Sequence, residues 1–94
     1  MPTFANARVV TDAGVVDEGW LTVSGTVITA LGAGSPPSAA VDVGGHWVLP
    51  GFVDVHVHGG GGHSVLAGDP DDVARAVAFH QRHGTTTTLA SLVT

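Results

Sequence analysis

The sequence predicts an α/β chain in two parts. Short antiparallel strands occupy residues 1–49, and residues 50–94 carry a strand, a glycine loop, a helix and a second strand. Three observations support this division. The first half holds Val- and Thr-rich runs broken by Gly- and Asp-containing turns. Pro50-Gly51 then punctuates the chain. Beyond it, a valine-alternating strand, a helix start at Asp69-Pro70 and a threonine-rich strand follow in the order of a βαβ unit.

In the first part, Ala7–Val10 reads as a strand and Thr11-Asp12-Ala13-Gly14 as its turn, with Gly14 able to take positive φ. Val15-Val16 follows, and Asp17-Glu18-Gly19 reads as another turn. Trp20–Val23 is expected to meet Thr26–Ala30 across a two-residue Ser24-Gly25 loop, with Trp20 filling the core or a sheet face. Residues 32–40, with Pro36-Pro37 in the middle, form a surface connection. Val41–Val43 and His46–Leu49 read as one more hairpin around Gly44-Gly45.

In the second part, Phe52–Val57 alternates. Val53, Val55 and Val57 face one way, and Asp54, His56 and His58 the other. Asp69 is placed to cap the next helix, Pro70 suits its first position, and Asp71 and Asp72 lie near its positive end. Val73, Ala76, Val77 and His80 make an apolar-leaning stripe at helical spacing, flanked by Ala74 and Phe79. Gly84 ends the helix, and Thr85–Ala90 is β-branched strand material. A βαβ unit requires a parallel sheet covered by further elements, so the architecture is expected to continue beyond this unit.

Composition narrows the function. Three arginines against eight carboxylates give a net charge of −5, and Arg8, Arg75 and Arg82 are scattered, which argues against a nucleic-acid partner. There is no cysteine for a disulfide scaffold. The first residues lack a basic region leading into an apolar run, and no stretch approaches the length of a membrane span. A cytoplasmic protein with no membrane partner is the expectation. Only 12% of residues are charged against 44% hydrophobic, so much of the surface is expected to lie against more protein.

The chemistry concentrates at His56 and His58, followed at once by Gly59–Gly62. Residues i and i+2 of a strand lie roughly 6.6 Å apart on one face, near enough for two imidazoles to converge on one metal ion. The end of a parallel strand is also where α/β sheets place their sites. Two readings stand: a pair of metal ligands, or two histidines held by ordinary hydrogen bonds. Two ligands do not complete a site. Asp54 either orients an imidazole or satisfies polar groups at the sheet base. The glycines lack the Lys-Ser/Thr sequel of a nucleotide loop, so a flexible loop on the substrate side is expected. His63 is read as a surface residue, with approach to the substrate as the alternative, and His46, His80 and His83 as structural. No Ser-His-Asp or Cys-His arrangement can be built.

The run Leu49-Pro50-Gly51-Phe52-Val53-Asp54-Val55-His56-Val57-His58 resembles the start of the barrel domain in the amidohydrolase superfamily. Residues 6–10 through 28–32 resemble the strands that open the small β-sandwich of those enzymes. Gly59–Gly62, the helix to Gly84 and residues 85–94 are similar to the N-acetylglucosamine-6-phosphate deacetylase family. The resemblance implies the N-terminal portion of a longer enzyme: part of a β-sandwich over 1–49 and the first βαβ unit of a TIM barrel over 50–94. It implies His56 and His58 as metal ligands, with zinc as the expected divalent ion and one or two ions in the complete enzyme. The implied reaction is hydrolysis of N-acetylglucosamine 6-phosphate to glucosamine 6-phosphate and acetate, in amino-sugar catabolism. The catalytic aspartate, the remaining ligands and the phosphate-binding residues would come from the rest of the barrel, so the 94 residues alone are expected to be inactive. Dimers are common in that family, so the resemblance admits a homodimer. The alternatives are a dihydroorotase-, aminoacylase- or imidazolonepropionase-like amidohydrolase, or a non-enzymatic remnant.

Overall fold

The computed structural model describes residues 1–93; Thr94, the last residue of the threonine-led segment, lies outside the described residues. The chain divides into two compact units, Met1–Pro50 and Gly51–Thr94.

In the first unit, β1 (Thr3–Thr11), β2 (Gly14–Ser24) and β3 (Val27–Ala33) form an antiparallel meander ordered β3-β2-β1. Thr11 pairs with Gly14 and Ser24 with Val27, so the loops are Asp12-Ala13 and Gly25-Thr26. The second loop falls one residue after the expected Ser24-Gly25. Left-handed Gly25, at φ 59°, takes the first loop position.

The expected turn at Asp17-Glu18-Gly19 is a pair of bulges instead. Ala5 and Asn6 together oppose Trp20, and Asp17 and Glu18 together oppose Arg8. One extra residue on each strand cancels the other, and the register recovers by Val9↔Val16. The two left-handed non-glycine residues among the described residues, Asn6 at φ 54° and Glu18 at φ 48°, sit in these bulges.

The expected hairpin around Gly44-Gly45 does not form either. β4 (Val41–Asp42) and β5 (Trp47–Val48) both pair with β1, in parallel. They are two halves of one edge strand that steps around the Asn6 bulge. Across the step, Val43 N–H donates to the Ala5 carbonyl (2.9 Å), Gly45 N–H to that of Asn6 (2.7 Å) and Arg8 N–H to that of His46 (2.9 Å). Asp42 Oδ1 accepts from Gly44 N–H at 2.7 Å and from Asn6 Nδ2 at 2.8 Å. The Gly44 bond first, and the Asn6 bond second, hold the Asp42 carboxyl below its ordinary pKa. Ala7, Val9 and Leu21 form the buried cluster, with Phe4, Val16, Val23, Val43 and Val48 packed on it. Trp20 covers its cross-strand partner Gly32, where a Cβ would stand 2.7 Å from the ring, so it fills a sheet face as expected.

In the second unit, β6 (Phe52–Val57) and β9 (Thr85–Ala90) run parallel, connected through a small hairpin and α1 (Pro70–Gln81). The helix starts where its sequence dictates: Asp69 Oδ1 accepts Asp71 N–H at 2.9 Å, and Pro70 opens the first turn. Its inner face is Asp72, Val73, Ala76, Phe79 and His80, of which Ala76 is fully buried. Val77, expected in that stripe, is 40% exposed, and Phe79 takes its place.

The glycine run, expected as a loop, forms a short hairpin. β7 (Gly59–Gly60) pairs antiparallel with β8 (His63–Ser64) about a turn at Gly61-Gly62. The helix rests directly on this backbone, for a Cβ on Gly60 would collide with the His80 ring. The unit is thus a mixed α/β element with a two-stranded parallel sheet, and a closed barrel is not formed among the described residues. Nor is any described helix long and apolar enough to cross a membrane.

Candidate metal centre

The His56–His58 pair stands at a local break in the β6–β9 ladder. Asp54 pairs with Thr88 and Val57 with Ala90, so Val55 and His56 together oppose Leu89. A bulge at this point re-aims the side chains that follow it. Asp54 Oδ1 accepts the His56 backbone N–H at 3.0 Å. That is the structural one of the two roles open to Asp54: its carboxylate is engaged by the backbone of the histidine.

The two imidazoles converge. His56 Nε2 and His58 Nε2 lie 2.9 Å apart, with ring centroids 4.8 Å apart and planes at 78°. Two nitrogens on one ion at about 2.0–2.1 Å stand about 2.9 Å apart at a right angle and about 3.3 Å at the tetrahedral angle. The observed separation fits a shared cation. His58 Nδ1 lies 2.9 Å from the Ser91 carbonyl oxygen. A carbonyl only accepts, so His58 carries its proton on Nδ1 and leaves the Nε2 lone pair facing His56. A backbone carbonyl on the remote nitrogen is the usual outer support of a metal-binding histidine. In the neutral, metal-free pair, His56 Nε2–H therefore donates to His58 Nε2.

Three other histidines are engaged elsewhere. His63 Nδ1–H donates to Asp72 Oδ1 at 2.8 Å, tying β8 to the first turn of α1. His80 Nε2–H donates to the Gly59 carbonyl at 2.9 Å, and His83 Nδ1–H to that of Phe79 at 2.9 Å. No group of three His, Cys, Asp or Glu side chains suited to a metal occurs among the described residues. The pair offers two donors of the three or four that a catalytic site uses.

No family model and no curated protein matches the chain. Solved structures do. N-acetyl-D-glucosamine-6-phosphate deacetylase from Mycobacterium smegmatis is 42% identical, with a TM-score of 0.84 over 99% of this chain and 27% of that one. A mutant of the deacetylase from the same organism, in complex with N-acetyl-D-glucosamine-6-phosphate, is 45% identical, with a TM-score of 0.88 over 99% of this chain and 25% of that one. The chain is homologous to N-acetylglucosamine-6-phosphate deacetylase, of the amidohydrolase superfamily. It spans about a quarter of the length of each of these deacetylases. The shared region takes in both units, and the histidine pair lies inside it.

Two features of this site are not evident from local sequence. Ser91 follows the second strand directly, and in a parallel pair that position abuts the end of the first, which was the available signal. The His63–Asp72 bond joins residues from two elements and had no local signature.

Proposed function

We propose that this chain belongs to an enzyme that hydrolyses N-acetylglucosamine 6-phosphate to glucosamine 6-phosphate and acetate, and that His56 and His58 are two of its metal ligands. The observation that carries the proposal is the convergence of the two Nε2 atoms at 2.9 Å, with His58 Nδ1 bound to a carbonyl. It occurs in a chain 42–45% identical to the matching part of solved deacetylases, one of them holding the amino-sugar phosphate. Residues 1–49 would then belong to a β-sandwich and residues 50–94 to the first βαβ unit of a barrel. The rest of the barrel and sandwich would supply the remaining ligands, the acid–base group and the phosphate contacts. A homodimer is compatible with this arrangement. A phosphorylated sugar does not diffuse through membranes, so the activity would be cytoplasmic.

His56 and His58 would hold a divalent ion, zinc by the nitrogen character of its donors, and such an ion would serve to polarise the amide carbonyl and acidify water. This chain's own part is to hold and orient. His56 and His58 direct both Nε2 atoms to one point; His58 would offer its lone pair directly, and His56 would do so once its proton moves from Nε2 to Nδ1. Asp54 anchors the His56 backbone, and Ser91 sets the tautomer of His58. The Gly59–Ser64 hairpin follows directly, held rigid by His80 and by the His63–Asp72 bond. A rigid neighbour keeps ligand geometry from drifting.

The intact gene product should release acetate from N-acetylglucosamine 6-phosphate and leave dihydroorotate untouched. Faster turnover of dihydroorotate would overturn the substrate assignment.

A further inference from the structure

We infer that Ser91 is a positioning residue for the proposed metal pair, fixing it through three separate groups; this rests on the reading of His56 and His58 as ligands. Ser91 N–H donates to the Val57 carbonyl at 3.0 Å and continues the parallel ladder past the last paired residues. Its hydroxyl oxygen accepts Val57 N–H at 3.2 Å. Its carbonyl accepts His58 Nδ1–H at 2.9 Å.

The need for such a residue comes from the bulge. With Val55 and His56 opposing Leu89, the ladder slips immediately before the histidines. A slipped strand leaves N–H groups out of step with the opposite carbonyls, so that other acceptors take them up. At His56 the Asp54 side chain takes the N–H, and at Val57 the Ser91 hydroxyl does. Both substitutes are side chains, so the geometry at the pair depends on residue identity and not on the backbone alone. The hydroxyl pins Val57, and the adjoining His58 is thereby kept within reach of the Ser91 carbonyl. An alanine at this position keeps the carbonyl and removes the pin. Val57 is then free to shift, and the His58 ring loses its fixed tautomer.

Two measurements on the intact gene product test this. The first is the tautomer of His58 in metal-free protein, read from long-range ¹H–¹⁵N correlations. Wild type should show Nδ1–H. Finding the Nε2–H form overturns the inference, whether or not any variant folds. The second is zinc affinity by competition with a chelator for wild type, Ser91→Ala and Ser91→Thr. Ser91→Ala should bind about tenfold more weakly and show mixed His58 tautomers, while Ser91→Thr, which retains a hydroxyl, stays within about threefold of wild type. Unchanged affinity and tautomer in Ser91→Ala would overturn the positioning role. Failure of wild type to bind zinc would instead remove the ligand assignment of the histidines, so the two failures are distinguishable.

Discussion

The two units spend their apolar residues differently. In Met1–Pro50, three adjacent strands share a buried cluster, with Ala7 1% and Val9 4% exposed and Leu21 at 6%. In Gly51–Thr94, Val65 and Ala76 are the buried apolar residues among those described, and Val53 and Val55 on β6 are 66% and 67% exposed. The chemistry-bearing histidines sit on the unit with the smaller core. Local order there comes from polar bonds: Asp54 to His56, Ser91 to Val57 and His58, and His63 to Asp72. Within this chain the first unit has a buried cluster of its own, whereas the β6 face of the second stands open, as it would in a barrel element whose neighbours lie elsewhere. Substitutions should separate the two cases.

The largest effect is expected at the histidines. His56→Ala and His58→Ala in the intact gene product should each lower bound metal and turnover together, by more than the ~10–100-fold that loss of an outer-sphere partner costs. In this chain, stability should hardly change in His56→Ala, because His56 is exposed, whereas His58→Ala also removes the bond to the Ser91 carbonyl and should cost about 1 kcal/mol. Metal analysis alongside acetate release is the check. Full metal content with unchanged turnover would return both residues to a structural role.

Next comes the contrast in packing. Leu21→Ala removes a 94%-buried side chain from the buried cluster of the first unit, and should cost about 2–4 kcal/mol in a denaturant melt of this chain. Val55→Ala should cost no more than about 0.5 kcal/mol, since its side chain is already two-thirds exposed. A loss at Val55 equal to that at Leu21 would show that this face of β6 is covered, and the comparison between the units would fail.

A smaller change is expected at the helix start. Asp69→Ala removes the acceptor of Asp71 N–H and should cost about 1 kcal/mol, with loss of helical signal from the second unit. This cap also shows what was legible in the sequence. Rules confined to a few neighbouring residues held: the Asp69-Pro70 start, the parallel strands on either side of the helix, and the approach of His56 to His58. Pairings that depend on distant strands did not read correctly. Asp17-Glu18-Gly19 has turn composition, yet β1 supplies a matching bulge at Asn6 and the strand runs on. Gly44-Gly45 has the composition of a hairpin turn, yet the free edge of β1 outcompetes the local partner and takes both flanking segments in parallel. At the site, the imidazole spacing was visible because strand periodicity is local, whereas the Ser91 carbonyl and hydroxyl depend on where β9 ends against β6.

The smallest predicted effect concerns Asp42, which joins the edge strand to the Asn6 bulge. Its pKa is lowered in the folded chain by the Gly44 N–H and then by the Asn6 amide. A depressed carboxyl adds stability that is complete above its unfolded value, about 3.9, and is lost as pH falls through the lower folded value. Asp42→Asn keeps an oxygen acceptor for both donors but removes the charge that strengthens those bonds. Wild type should therefore exceed Asp42→Asn in stability at pH 7, and the gap should close as the pH is brought below about 4. Because the carboxylate is exposed, solvent screening keeps the gap small, and raising salt should narrow it further. Urea melts at both pH values decide the matter. A gap that is the same at pH 7 and pH 3 would mean that the step between β4 and β5 is held by shape and hydrogen-bond number, with no contribution from the charge.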